Sequence, residues 1–356
     1  MAFVAMGLLL SACSSIRYYA QAVHGQGELI VHRRAIGKLL KDPHTDPGLA
    51  ARLRLALQAR RFASTHLGLP DNRSYTGYVQ LDRPYVVWNV FAAPPYSVQA
   101  VPQCFPIAGC VAYRGWFGEP AAKADAARLE ALGDDVWIGG VPAYSTLGWF
   151  ADPILSSMLR WDDDELAGTI FHELAHQLIY VKSDTAFNES FASFVERQGL
   201  REWRASRGLP APDGDQQAME DGFTALVLDL RGRLKTLYAS GTGDAAMAAG
   251  KQREIAAFRG RYERWRQQHW PGDHRYDAWV AQPINNARLL PFGLYDQWTP
   301  AFRVLFQRGG QHWAAFYAEV RRLAQEPKAQ RDGDLQALSP TTGKAVDAAV
   351  GAGDDK

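Results

Sequence analysis

Two histidines in the segment HELAH, residues 172–176, have the spacing of a metal site. His172 and His176 lie one turn apart on a helix, which would place both imidazoles on one face. Glu173, next to the first histidine, would then be able to take a proton from a metal-bound water. The motif therefore predicts a Zn(2+) ion held by His172 and His176, with Glu173 as the general base.

The residues around this motif predict the helix that the metal geometry requires. Asp162 and Glu165 form a capping-box-like start. Apolar residues then recur at every fourth position and predict one buried stripe: Leu166, Ile170, Leu174 and Leu178. Both histidines lie about 200° around the helix from the middle of this stripe and would point into a cleft. A core helix whose histidines only satisfy hydrogen bonds is the alternative.

A third ligand must come from another element, since a catalytic zinc usually has three protein ligands and one open position. The next predicted helix, from about Ala186 to Trp203, carries two candidates, Glu189 and Glu196. Glu189, Ser193 and Glu196 follow one another at spacings of four and three residues and so share one face of the helix. Both glutamates can therefore point the same way. The residues alone leave the choice between them open.

The segments HELAH and NESFASFVE, residues 188–196, together resemble the gluzincin zinc peptidases of the alanyl aminopeptidase type. In that family the glutamate after the asparagine binds the metal, which makes Glu189 the third ligand. The resemblance makes Glu196 a supporting residue that orients a ligand histidine by accepting its second ring proton. The alternative is Glu196 as the ligand, since its distance along the chain matches thermolysin-like enzymes.

The resemblance implies hydrolysis of peptide bonds, with a peptide as substrate, but this chain departs from the family in two ways. Its connection between the two helices is shorter, so Lys182–Asp184 must form a tight loop. It also lacks the GxMEN segment that recognises a free amino terminus. An endopeptidase with the same zinc ligands, or a non-catalytic protein with a structural zinc, are therefore alternatives to an aminopeptidase.

Three further stretches resemble a group of bacterial lipoproteins described as predicted aminopeptidases: residues 109–117, 143–153 and 283–295. The chain also begins with MAFVAMGLLLSAC, an apolar run too short to cross a bilayer and similar to a lipobox. We therefore expect residues 1–13 to be a signal segment and Cys13 to carry a lipid, although no Lys or Arg precedes it. The expected location is the periplasmic side of the bacterial envelope, with an outer-membrane anchor.

Cys104 and Cys110 enclose FPIAG, a segment whose Pro and Gly favour a turn. In an oxidising compartment this turn would bring the two sulfurs together as a disulfide. A pair of small buried thiols is the alternative. A second zinc site is not expected here, because neither the spacing nor a histidine pair supports one.

The composition is that of a globular protein that can bury a sizeable core, with 356 residues of which 47% are hydrophobic. The formal net charge is +1, and no basic patch with interleaved aromatic residues supports nucleic-acid binding. After Cys13 no apolar run is long enough for a transmembrane helix.

The pattern of elements predicts an α+β fold, and the resemblance to gluzincin peptidases implies a zincin-like one. A helical arm at 14–68, with helices at about 18–40 and 47–67, precedes a zinc metallopeptidase domain at 69–325, and a flexible tail follows at 326–356. Short runs rich in Val, Tyr, Phe and Trp predict strands at about 76–82, 85–92, 108–114 and 136–139. Later helices are expected at about 215–239, 247–269 and 300–325. A small mixed sheet beside the HELAH helix would offer an edge strand, GCVAYRG or AYSTLG, to an extended peptide.

A tyrosine hydroxyl is a suitable donor to the oxyanion that develops on an attacked carbonyl. Tyr295, in a break between two predicted helices, is the predicted donor. Tyr276, Tyr238, His269 and His274 are the alternatives, and a purely structural role for Tyr295 is a further one.

Overall fold

The computed structural model describes most of the chain, namely residues 18–105, 109–143, 145–212, 214–292 and 297–339. This described part is α+β and mostly helical, with three small β-sheets. The predicted α+β class is therefore confirmed. Cys13 and Tyr295 lie outside the described residues, and the predicted division into domains stays a prediction.

The N-terminal region consists of helices and one short strand: α1 (residues 18–31), β1 (Arg34–Ala35), α2 (Ile36–Leu39) and α3 (Pro47–Thr65). The helix predicted over 18–40 is thus interrupted by β1, which pairs antiparallel with the strand that follows α3. Helix α3 starts where the Asp46 side chain accepts the Leu49 N–H and a proline occupies the first helical position.

Six strands fall in the part of the chain where strands were predicted: β2 (Gly77–Val79), β3 (Val87–Ala93), β4 (Gln103–Phe105), β5 (Gly109–Val111), β6 (Tyr113–Trp116) and β7 (Asp135–Val141). A further strand, β8 (Ile154–Leu155), lies outside that region. Helix α4 (Glu119–Ala131) lies between β6 and β7. One antiparallel sheet has the order β6-β3-β7, a second sheet contains β1, β2 and β8, and β4 and β5 form a hairpin. In the first sheet β6 is therefore an edge strand.

The two faces of the β6-β3-β7 sheet have different roles because side chains alternate along a strand. Trp88, Val90 and Ala92 of β3 face α4 and form a small buried core with it. Val87 and Asn89, on the opposite face, line a cavity. The register pairs Asn89 with Gly115, so that β6 contributes to the same cavity wall.

The metal motif lies on two long helices that pack against each other, α5 (Asp163–Leu178) and α6 (Thr185–Ser206). The Asp162 side chain caps α5 by accepting the Glu165 N–H at 2.8 Å, as the sequence predicts. Of the predicted stripe, Leu166, Ile170 and Leu174 are fully buried in the main core. Burial of this stripe orients the opposite face of α5 towards the cavity.

The remaining described elements are helices: α7 (Gly214–Tyr238), α8 (Asp244–His269), α9 (Asp277–Ala281), α10 (Asn286–Leu289), α11 (Thr299–Arg308), α12 (Trp313–Ala324) and α13 (Lys328–Leu338). Helices α7 and α8 pack together around a second apolar core, whereas α11 and α12 join α6 in the main core. The single helix predicted over 300–325 is two helices, because Gly310 adopts a φ of 66° between them. Among the described residues, no helix combines the length and apolar character needed to cross a membrane.

Residues 328–338 form a helix, whereas the polar sequence after 326 predicts a flexible tail. Helix α13 packs on the main core through the fully buried Leu335. Its Arg331 is also buried and donates to the buried Asp184 Oδ2 at 2.6 Å. A polar composition did not indicate this contact, because one buried ion pair and one leucine suffice to hold the helix in place.

Candidate metal centre

The connection between α5 and α6 is tight, and Asn188 fixes it. The Asn188 side chain accepts the Val181 N–H at 2.8 Å and donates to the Val181 carbonyl at 2.8 Å. Ser183, inside the loop, adopts a φ of 65°. The Asp184 side chain then caps α6 by accepting the Phe187 N–H. These bonds fix the position of the first turn of α6, directly before Glu189.

Three side chains converge where α5 and α6 face the cavity. His172 Nε2 lies 3.2 Å from His176 Nε2. Glu189 Oε2 lies 3.3 Å from His172 Nε2 and 3.5 Å from His176 Nε2. In the part of the chain that the structure describes, this trio is the one His/Cys/Asp/Glu group with the spacing to hold a metal ion.

The spacing of these atoms fits a tetrahedral zinc ion. Zinc bonds of about 2.0–2.1 Å in tetrahedral geometry separate neighbouring donor atoms by roughly 3.4 Å. The three observed separations lie between 3.2 and 3.5 Å. Two imidazole nitrogens and one carboxylate oxygen are also the donor set of known catalytic zinc sites.

Glu196 lies behind the trio rather than in it. His172 Nδ1–H donates to Glu196 Oε2 at 2.9 Å, which orients Nε2 towards the other two groups. Gly168 makes room for this carboxylate, since a Cβ there would lie 3.2 Å from Glu196 Cγ. Glu189 thus lies with the two histidines, and Glu196 lies behind His172.

The charges of the cluster shift the pKa values of its members strongly. Burial would raise the pKa of Glu189, but the two histidines outweigh it and hold that pKa well below its usual range. Burial would lower the pKa of His172, but its hydrogen bonds to Glu189 and Glu196 raise it well above the ordinary value. A buried carboxylate kept ionised in this way favours a positive charge beside it.

Glu173 points into the same cavity as the trio. Burial raises the pKa of its carboxyl group, and the neighbouring His172 and His176 oppose that rise. A raised pKa suits a group that must accept a proton and then release it near neutral pH.

The cavity beside these residues has a volume of about 870 Å³. Helices α5 and α6 form one wall, and the β6-β3-β7 sheet together with α1 forms the other. Its lining is largely aromatic and apolar, including Tyr18, Phe105, Tyr113, Phe117, Trp161 and Tyr180. A cavity of this size and composition fits a short peptide with apolar side chains.

Two tyrosines that line the cavity have pKa values raised in part by the carboxylates of the site. Burial and the negative charges of Glu189 and Glu173 raise the pKa of Tyr113. Burial and Glu189 likewise raise the pKa of Tyr180. Sequence reasoning did not single out either residue, although Tyr113 lies within the stretch 109–117 and Tyr180 follows HELAH directly.

The alternatives to Tyr295 do not lie at the site. Tyr276 stacks on Phe223 with a ring separation of 3.9 Å, and the Tyr238 hydroxyl donates to Asn286 Oδ1 at 2.9 Å, both in the second core. The cavity lining does not contain them, nor does it contain His269 or His274. Their positions remove them as donors to a carbonyl held at the trio.

The predicted disulfide between Cys104 and Cys110 is present and joins β4 to β5. The Cys110 N–H donates to Ser183 Oγ at 3.1 Å, so this hairpin contacts the loop between the two metal helices. Phe105, next to the disulfide, lines the cavity. The disulfide therefore stabilises one rim of the candidate site.

Comparison with known proteins gives one match. A sequence model of a family described as "Putative aminopeptidase" matches residues 17–335. This range includes α1, the cavity and both helices that carry the trio. No curated protein matches the chain significantly, and no solved structure does.

Proposed function

Because the chain belongs to the family described as "Putative aminopeptidase", we propose that it is a zinc-dependent aminopeptidase with a zincin-like fold of the gluzincin type. The observation that carries this proposal is the spacing of His172 Nε2, His176 Nε2 and Glu189 Oε2, which matches tetrahedral zinc. Peptides of the bacterial envelope are the proposed substrates, and each reaction would release residues from the amino end.

The residues of the site divide the work of hydrolysis among them. His172, His176 and Glu189 would hold the zinc, which would lower the pKa of a water molecule and polarise the scissile carbonyl. Glu173 would take a proton from the attacking water and deliver it to the leaving amine. Glu196 holds the His172 ring by accepting its Nδ1–H, which keeps Nε2 aimed at the metal position.

Tyr113 is the proposed donor to the oxyanion. Its raised pKa keeps the hydroxyl protonated at neutral pH, and its place in the same cavity as Glu173 and Glu189 supports this role. Tyr180 is the second described candidate in the cavity lining. Tyr295, outside the described residues, stays a prediction.

The proposed location is the periplasmic side of the envelope, with a lipid on Cys13 as the anchor to the outer membrane. The disulfide between Cys104 and Cys110 supports an oxidising compartment. Mass spectrometry of membrane fractions would test the lipid: wild type should carry a diacylglyceryl group that Cys13→Ala protein lacks.

Two rivals share the metal residues. The cavity-lining acids among the described residues are Glu173, Glu189 and Glu196, and Glu119 instead pairs with Lys123 outside the cavity. The site thus offers no further described carboxylate for a free amine, which favours an endopeptidase as the second candidate. A non-catalytic structural zinc is less consistent with the site, because such zinc usually has four protein ligands and the described cluster supplies three.

Glu173→Gln is the direct test of the mechanism. The variant should bind zinc as wild type does but lose about 10²–10⁴-fold in kcat, because it cannot accept the water's proton. His172→Ala should lose the zinc itself. Zinc content and turnover are measured on matched peptides with free and acetylated amino ends. Full activity of Glu173→Gln protein would refute the mechanism, and cleavage of both peptides at equal rates would favour the endopeptidase.

A further inference from the structure

Helix α1 occupies the outer edge of β6. The Phe117 N–H, just after β6, donates to Gln21 Oε1 at 3.0 Å, and Gln21 Nε2–H donates to the Gly115 carbonyl at 3.5 Å. These are the backbone groups that a neighbouring strand would use. The amide side chain of Gln21 therefore occupies the hydrogen-bonding groups that an added strand would need at this end of the edge.

Further contacts hold α1 in this position. The Tyr18 ring lies 5.4 Å from the Trp116 ring, and the Arg114 guanidinium lies 5.4 Å from the centre of the Tyr18 ring. Gly25 allows a close approach, since a Cβ there would lie 2.2 Å from Phe117 Cγ. Helix α1 thus covers β6 from Arg114 to Phe117.

The outward-facing backbone groups of β6 and of the residue after it lie in one row, at Tyr113, Gly115 and Phe117. In an antiparallel sheet the residues of a strand alternate between facing one neighbour and the other. Because Gly115 and Phe117 face Gln21, Tyr113 presents its backbone groups to the same outer side, and Tyr113 lines the cavity that also contains the trio. The edge is therefore covered by α1 at one end, while its other end borders that cavity.

The direction of β6 decides which end of a bound peptide meets α1. A peptide that pairs antiparallel with β6 runs from Phe117 towards Tyr113, so its amino end lies against α1. With a rise of about 3.3 Å per residue, Gly115 and Phe117 lie about 7 and 13 Å along the strand from Tyr113. At most about two extended residues therefore fit between Tyr113 and the point at Gly115 where Gln21 closes the edge.

We propose that Gln21 and helix α1 form an end stop that limits the peptide to one or two residues on the amino side of the scissile bond. This inference rests on the proposed peptidase function. The end stop would give exopeptidase specificity by blocking the edge strand. Such a device is needed because, among the described residues, the cavity lining has no carboxylate besides Glu173, Glu189 and Glu196 to bind the free amine.

The test uses one peptide with a free amino end and versions lengthened residue by residue at that end, each also in acetylated form. Wild type should cleave efficiently only near a free end. Gln21→Ala should raise kcat/KM for the lengthened, acetylated peptides about tenfold, because two hydrogen bonds no longer close the edge. Its kcat/KM for the original free peptide should change little.

Two variants control for general effects on α1. Val23→Ala alters the same helix at a side chain that is 73% exposed and should behave as wild type. Gln21→Glu keeps an acceptor for the Phe117 N–H and should keep most of the restriction. Gln21→Ala protein with an unchanged preference for short amino ends would overturn the end stop, and so would equal cleavage of all peptides by wild type.

A binding measurement separates the end stop from the catalytic proposal. Dissociation constants of the same peptides for Glu173→Gln protein should rise sharply beyond one or two residues on the amino side, and adding Gln21→Ala should remove that rise. This length dependence without any turnover in wild type would refute the peptidase and retain the stop. Affinity that is independent of length, or an absence of peptide binding, would overturn the stop.

Discussion

The Tyr113 hydroxyl is the proposed donor of a hydrogen bond that forms only to the oxyanion of the transition state. Tyr113→Phe keeps the ring, which packs 5.2 Å from the Phe91 ring, and removes the donor. We expect kcat to fall about 10²–10³-fold while KM changes little, because the lost bond forms to the developing oxyanion. Steady-state kinetics of Tyr113→Phe and Tyr180→Phe proteins, side by side, measures this. An unchanged kcat in Tyr113→Phe protein, with a fall in Tyr180→Phe protein, would assign the role to Tyr180.

At the residue scale, the sequence predicted the groups that lie close together along the chain. His172, Glu173 and His176 share one helix, so helical periodicity alone sets their relative positions. The choice of Glu189 required the family resemblance, because its distance from the two histidines depends on how tightly the loop between α5 and α6 closes. Tyr113 could not be predicted, since its distance to the trio depends on how a sheet packs against two helices distant in sequence.

At the scale of elements, helix caps and apolar periodicity predicted α5 and α6 well, whereas tertiary contacts decided the rest. Helix α1 could not be predicted as a cavity wall, since its contacts to β6 depend on the Gln21 amide and on the absence of a side chain at Gly25. Helix α13 was predicted as a flexible tail. Its order depends on a buried ion pair between Arg331 and Asp184, far apart in sequence, that no local pattern indicates.

The Arg331–Asp184 pair links α13 to the start of α6 and should contribute strongly to stability. Arg331→Met leaves the more exposed Lys328, 3.4 Å away, as the one cation beside the buried Asp184 among the described residues. Removing one partner of a buried pair costs about 3–5 kcal/mol in free energy of unfolding. Urea denaturation of the variant measures this loss.

The double variant Asp184→Asn, Arg331→Met provides the control for that measurement. Asn keeps a side-chain oxygen for capping α6 and removes the unpaired charge. The double variant should therefore recover a large part of the stability that the single variant loses. A single variant as stable as wild type would contradict a structural role for the pair.

At the scale of the whole molecule, the candidate site is where separately stabilised parts meet. The main core fixes α5 and α6, a smaller core with α4 fixes the β6-β3-β7 sheet, and the disulfide-linked hairpin contacts the loop between the metal helices. The trio itself adds no apolar burial, and its buried carboxylate needs compensating charge. A metal ion at this position would therefore stabilise the native state as a whole.

Zinc removal should lower the stability of the entire fold. At free zinc about 100 times the dissociation constant, binding only to the native state adds about 2.7 kcal/mol to the free energy of unfolding. Chelation should remove this increment from wild type and from Glu173→Gln protein, which keeps all three ligands. His172→Ala protein should unfold at the same denaturant concentration with zinc or with chelator. Denaturation curves under both conditions measure the difference, and a wild type whose stability is independent of zinc would exclude a native-state zinc site at His172, His176 and Glu189.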